Sequence, residues 1–314
     1  MFNTALKKIK EIRADSRKRK ARIVLNSCLQ RWGDKDERIV RFIEMFDKWY
    51  AQIPDQANGM VLHLLSNFCY YPHRIVNICL VELHQRLIGK GTINQNNTIY
   101  IPIKSPDGNS NSSNEYWSEY KLQNKLSKYI VLDDFSELTF GQWEYIKNIV
   151  LIDDCGGSGQ TLTDYIKSKL DIFTNKNLYF ISIHIMKNAQ DCIYSFAEKN
   201  NININILNTI VQEKAFNHTY FRDNELENLF VKLSEGFGIP KKYIKGFKDS
   251  QGLFAFYNNT PNNTLGLFYY NTDKYEAPFP RNNDQKPSWW YLKRGKKIRE
   301  IQNYNSHLAG YIND

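Results

Sequence analysis

A chain of 314 residues, 42% hydrophobic and 14% aromatic, can bury a full core as one large domain or as a main domain with an appendage. No apolar run approaches the ~18 residues of a membrane span, and "MFNTALKKIKEIR" has no apolar signal region after its charges, so a cytoplasmic location is expected. The five cysteines, Cys28, Cys69, Cys79, Cys155 and Cys192, are odd in number, scattered and without paired CxxC motifs, and indicate neither a disulfide framework nor a zinc site.

The net charge of +9 is uneven, because residues 7–22 carry nine Lys or Arg against Glu11 and Asp15. Such a run either contacts phosphates of a nucleic acid or an acidic protein surface, releasing counterions, or forms a solvated helix face. Ile9, Ile12, Ile23 and Leu25 give it only a thin apolar stripe. Next, "DERIVRFIEMFDKWYAQI" places Ile39, Phe42, Ile43, Phe46 and Trp49 at helical spacing behind an N-cap at Asp34 or Asp36. "GMVLHLLSNFCYY" and "RIVNICLVELHQRLIGKG" continue in helical style, the latter closed by Gly89 and Gly91. Residues 1–92 therefore form a helical, basic N-terminal region.

The character then changes. "NTIYIPI", residues 97–103, is a short β-branched and aromatic strand that feeds the polar run "KSPDGNSNSSN". From there "EYWSEYKLQNKLSKY", "TLTDYIKSKL" and "AQDCIYSFAEKN" read as helices, alternating with the strands "IKNIVLI", "NLYFISIHIM" and "INILNTI". Strands separated by helices imply right-handed crossovers, so residues 93–212 are an α/β core with a mainly parallel sheet. Residues 213–314 form a less regular extension: a helix in "DNELENLFVKLSEGFG", two strands joined by a loop in "GLFAFYNNTPNNTLGLFYYN", and a basic, aromatic end in "PSWWYLKRGKKIREI".

One stretch, "NIVLIDDCGGSGQTLTDYI", concentrates chemistry. Ligands of open parallel sheets bind beyond the carboxyl ends of the strands, and residues 148–152 deliver Asp153 and Asp154 to that edge. Gly156, Gly157, Ser158 and Gly159 follow, allowing backbone N–H groups to turn inward around an anion, and the helix starting near Thr161 adds its positive end. Ser158 and Thr161 supply hydroxyls. Carboxylates accept hydrogen bonds from hydroxyls but repel a phosphate, so the pattern fits a ligand with vicinal hydroxyls at one end and a phosphate at the other. Ribose 5-phosphate has that polarity. No Gly-Lys-Ser/Thr P-loop and no GxGxxG fingerprint is present.

"IVLIDDCGGSGQTL" resembles the signature of the type I phosphoribosyltransferases: an apolar strand, two acidic residues, small residues, then Ser or Thr, Gly, any residue and Thr. The resemblance implies that Asp153 and Asp154 hold the ribose hydroxyls of phosphoribosyl pyrophosphate. It further implies that Gly156, Gly157, Ser158, Gly159, Gln160 and Thr161 hold its 5-phosphate, with Mg2+ bound through the ligand and not directly by the protein. The pyrophosphate loop of the family falls on Lys104, Ser105, Gly108, Ser110, Ser112 and Ser113, a composition that an ordinary polar loop shares. Purine-salvage members carry a carboxylate at the position of Gly157, where it takes a proton from the attacking base. Purine transfer by that device is not expected here.

The helical N-terminal region, the Gly-Ser-Gly turn and "NNTPNNTLGLFYYNTDKYEAPFPR" look like the phosphoribosyltransferase-like proteins of bacterial conflict and anti-phage loci, some of them retron-associated. That likeness makes Asn259, Thr260, Asn262, Asn263, Thr264 and Arg281 either a hood over the sugar or its base, or an Asn-rich turn. The six histidines show no metal-ligand spacing, and Cys155 stands where the family has an apolar packing residue. Trp289 and Trp290 with Lys293, Arg294, Lys296 and Lys297 either bind single-stranded nucleic acid or anchor the C-terminus on the core. Two activities follow as expectations: a magnesium-dependent glycosyl-transfer or glycosyl-hydrolysis effector of anti-phage defence, or an inactive scaffold or sensor. The second would bind nucleic acid or a defence-complex protein through residues 7–22 and 289–299.

Overall fold

The computed structural model describes residues 2–103, 113–217 and 224–281, without the side chains of residues 2–15, 113, 114 and 224. The terminal Trp-rich segment lies outside the described residues. Four strands, β2 (Thr98–Pro102), β3 (Asn148–Gly156), β4 (Asn177–Met186) and β5 (Asn203–Gln212), lie side by side in that order, all parallel. Beyond β2 the sheet gains a further parallel rung. The Tyr100 N–H donates to the Ile130 carbonyl (2.8 Å) and the Leu132 N–H to the Tyr100 carbonyl (3.0 Å).

The chain thus leaves β2 toward residues 130–132 and returns past β2 to reach β3, so the winding reverses between those two strands. Right-handed crossovers in two directions put helices in two layers. In one, α4 (His73–Ile88) packs on α5 (Ser113–Gln123). In the other, reached after the short α6 (Phe140–Tyr145) and β3, α7 (Gln160–Lys167), α8 (Leu170–Phe173) and α9 (Lys187–Lys199) run together, and Phe135 packs on Phe173 (5.6 Å between ring centroids). With both faces covered, residues 149–152 are all buried, which is why β3 reads there as an unbroken apolar run.

The N-terminal helices are α1 (Phe2–Trp32), α2 (Glu37–Ala51) and α3 (Asn58–Ser66). Asp36 caps α2, its carboxylate accepting the Arg38 N–H, and the helix buries Ile39, Phe42, Phe46 and Trp49 as their spacing predicts. In α1 the buried stripe runs through Ala21, Leu25, Cys28 and Trp32, while Ile23 is 60% exposed. Ile23 therefore stands on the opposite face of the helix, two residues from both Ala21 and Leu25. Lys18, Arg19 and Lys20 are exposed, but Arg17 folds back to donate to the Tyr50 and Ile53 carbonyls (3.0 and 2.6 Å) and to Asp55.

After α3 the chain turns into β1 (Cys69–Tyr71), which the helical reading of "GMVLHLLSNFCYY" did not anticipate. Its parallel partner is β6 (Phe254–Phe256). Of the two strands expected in "GLFAFYNNTPNNTLGLFYYN", one forms and one does not. The first is β6, paired far away in sequence, and the second apolar run forms the short buried helix α12 (Gly266–Tyr269). Ahead of β6 in the chain lie α10 (Asn224–Gly236), the expected helix, and the single turn α11 (Lys241–Ile244).

Two apolar clusters result. One surrounds the four-stranded sheet and includes α4. The other joins α1, α2 and α3 to residues 215–279, so the helical layer and the C-terminal extension are halves of one core. Phe279 touches Trp32, Phe42, Phe68 and Tyr70 at ring separations of 4.7 to 5.8 Å.

Candidate ribose-phosphate site

β2 ends at Pro102, opposite Ile152 of β3, so Asp153 is the first residue of β3 beyond that neighbour. It stands at the reversal of winding, where open α/β sheets form their ligand crevice. Asp153 lines a cavity of about 240 Å³ together with Cys155, residues 156–159, Thr161, Phe247, Asn262 and Asn263. Asp154, next along the strand, is 6% exposed and is not among the residues lining that cavity. Its charge reaches Tyr116 of α5, whose hydroxyl burial and Asp154 hold well above its ordinary pKa.

The acid pair is electrostatically strained. Burial pushes the Asp153 carboxyl well above the usual carboxylate range, and the charge of Asp154 and a hydrogen bond to it push further. Asp153 accepts the Asp154 N–H (2.9 Å), and Asp154 accepts the Cys155 N–H (2.7 Å). Burial, then Asp154 and Asp153, push the Cys155 thiol up, and Arg281 opposes them only in part.

The loop is shaped by two glycines. Gly159 has φ +77°, and a Cβ there would stand 2.8 Å from the Ala189 carbonyl oxygen, so both backbone conformation and space require glycine. A Cβ on Gly157 would overlap all three terminal atoms of the Asn263 side chain. The amides of Gly157, Ser158 and Gly159 have no acceptor among the described residues, and α7 opens directly behind them with Gly159 as N-cap. The Ser158 hydroxyl accepts the Gln160 N–H at 3.4 Å, and the Gln160 carbonyl accepts the Thr163 hydroxyl. Gln160 is the first residue of α7, while Thr161 reaches the cavity.

The structure brings part of the hood to this loop. Asn262 and Asn263 line the cavity, and Arg281 lies close enough to affect Cys155 while donating to the Thr260 carbonyl (3.3 Å). Asn259 turns its side chain to the Thr260 N–H, and Thr264 is fully buried with its hydroxyl on the Phe254 carbonyl (2.6 Å). Those two shape the turn from within. Lys104, Ser105, Gly108, Ser110 and Ser112 lie outside the described residues, as does the side chain of Ser113, which begins α5.

Sequence reasoning missed Arg38. From the first turn of α2 its guanidinium donates to the Phe256 carbonyl, the Thr260 hydroxyl (2.8 Å) and the Pro280 carbonyl (2.9 Å). It thereby fixes the end of β6, the Asn-rich turn and the residue before Arg281. No local signal could have shown this, because each partner lies more than 200 residues away. A second tie runs to α5: Glu115 accepts from Tyr257 (2.9 Å) and Asn258 (2.7 Å), and Tyr116 donates to Asn258 (2.9 Å).

A parallel sheet with reversed winding, an acid pair at its carboxyl edge and a glycine-serine loop opening a helix define a fold of the phosphoribosyltransferase class. The chain belongs to the PRTase-CE family, whose profile matches residues 46–281. Among solved structures it is similar to the Helicobacter pylori xanthine-guanine-hypoxanthine phosphoribosyltransferase, at 16% identity and a TM-score of 0.29, over 51% of this chain and 95% of that one. No curated protein matches it. Among the described residues, no helix is long and apolar enough to cross a membrane.

Proposed function

We propose that this protein binds phosphoribosyl pyrophosphate, or a related ribose 5-phosphate ligand, with magnesium, and transfers or hydrolyses at the anomeric carbon as a cytoplasmic effector of anti-phage defence. One observation carries the reading: a single cavity has Asp153 on one wall and the open amides of residues 157–159, backed by the start of α7, on another. That polarity accepts hydroxyls at one end and a phosphate at the other. The defence role is supported by the likeness of residues 258–281 to conflict-system proteins, and exposed Lys18, Arg19 and Lys20 offer a surface to an acidic partner.

Among the described residues, no three His, Cys, Asp or Glu converge on a metal position. The acid pair alone suits a magnesium ion held mainly by ligand oxygens and water. When bound, the ion would neutralise charge on the departing pyrophosphate. The protein's own residues divide the remaining work. Asp153, with Asp154 hydrogen-bonded beside it, accepts the ribose hydroxyls and faces the positive charge that develops at the anomeric carbon. The loop amides and the hydroxyls of Ser158 and Thr161 hold the phosphate, fixing the sugar while the bond breaks.

The test is release of pyrophosphate from phosphoribosyl pyrophosphate with magnesium, across a panel of nucleobases, nucleotides, RNA and water as acceptors. The expected result is turnover with at least one acceptor and a loss of about 100-fold or more in Asp153→Asn. Turnover that survives the substitution would overturn the assignment of the acid pair.

A further inference from the structure

Position 157 has no side chain, yet the space beside it is filled. The Asn263 carboxamide lies over the Gly157 Cα so closely that any Cβ would collide with its Cγ, Nδ2 and Oδ1 together. Asn263 reaches this place from a rigid mount. Its backbone carbonyl accepts the Ser250 hydroxyl (2.8 Å) and the Gly252 N–H (2.9 Å), and Ser250 is fully buried. Its Nδ2 is directed to the same Ser250 hydroxyl at 3.3 Å. The Oδ1 accepts no hydrogen bond from the described residues, and Asn263 lines the cavity that holds Asp153 and Ser158.

The chemistry of that oxygen is selective. A carboxamide oxygen is an acceptor and repels phosphate oxygens, so it does not belong to the phosphate subsite. Its complement is an N–H donor, and with the second Nδ2 hydrogen the amide offers a donor and an acceptor side by side, the pattern that heterocyclic bases present along an edge. A carboxamide also neither gains nor loses a proton near neutrality, so it orients a base without deprotonating it.

Building on the ribose 5-phosphate reading, we propose that Asn263 supplies from the hood the side chain that position 157 lacks, and contacts a nucleobase attached to, or about to join, the bound sugar. It is a specificity residue for the base, and Gly157 is glycine to admit it. The base-side contact is consequently insensitive to pH across the neutral range.

Calorimetric titration with ribose 5-phosphate and with AMP, GMP, CMP and UMP separates the sugar-phosphate and base contributions. The wild type is expected to bind at least one nucleotide more tightly than ribose 5-phosphate. In Asn263→Ala that affinity ratio is expected to fall about tenfold, the size of a lost hydrogen-bonded pair. Gly157→Ala should displace Asn263 and lower the same ratio, which the second substitution, in Gly157→Ala with Asn263→Ala, should then no longer lower. Ribose 5-phosphate binding with no nucleotide advantage in the wild type, or a ratio unmoved in Asn263→Ala, overturns the inference and leaves the sugar-phosphate site standing. Failure of the folded wild type to bind any of the five removes the sugar-phosphate site and the inference with it.

Discussion

Asp153 is held in the fold at a cost. A carboxyl whose pKa is raised on folding keeps its proton to higher pH in the folded state than in the unfolded one. Its stability contribution is therefore present below the ordinary carboxylate pKa of about 4 and is lost as pH rises through the raised value. Asp153→Asn removes the titration while keeping the shape. We expect the variant to melt a few degrees above the wild type at neutral pH and level with it near pH 4, as read by thermal unfolding across pH. Gly159 behaves in the opposite sense: Gly159→Ala imposes a left-handed conformation and a clash with the Ala189 carbonyl, and should cost about 1–3 kcal/mol. Denaturant unfolding would show this. Asp153, Asp154 and the glycines were legible because strand, turn and helix follow one another within nineteen residues of "NIVLIDDCGGSGQTLTDYI". The reason for glycine at 157 was not, since the occupant of its space comes from residue 263.

At the scale of elements, the hood is placed by long-range polar ties. Arg38 is largely desolvated, and its three acceptors would be left without it. Arg38→Met should destabilise the protein by roughly 3 kcal/mol, and hydrogen exchange should show lost protection at Phe256 and Thr260 before the four-stranded sheet opens. Equal loss in the sheet would contradict a local role. The helices of the α/β layers were legible because their apolar faces repeat at helical spacing. β1 was not, and β6 was legible as a strand but not in its pairing: three-residue strands carry no period of their own, and each is completed by a partner on the far side of the chain. The apolar run at 266–269 read as a strand for the same reason, being buried all round rather than on one face.

For the whole molecule, the consequence is that the N-terminal helices are structural parts of the site. They complete the core under residues 215–279, and that core carries Asn263 and Arg281. Phe279→Ala, at the centre of the aromatic contacts, should cost about 3–5 kcal/mol and weaken sugar-phosphate binding, although Phe279 itself is not among the residues lining the cavity. Composition could announce a large buried core, but not that its two ends are folded against each other. The most direct test of the central claim is calorimetric titration with phosphoribosyl pyrophosphate and magnesium, comparing the wild type with the Asp153→Asn, Asp154→Asn double variant. Binding by the wild type that disappears in the folded variant is the predicted result. A folded wild type that does not bind, or a double variant that binds equally well, would contradict it.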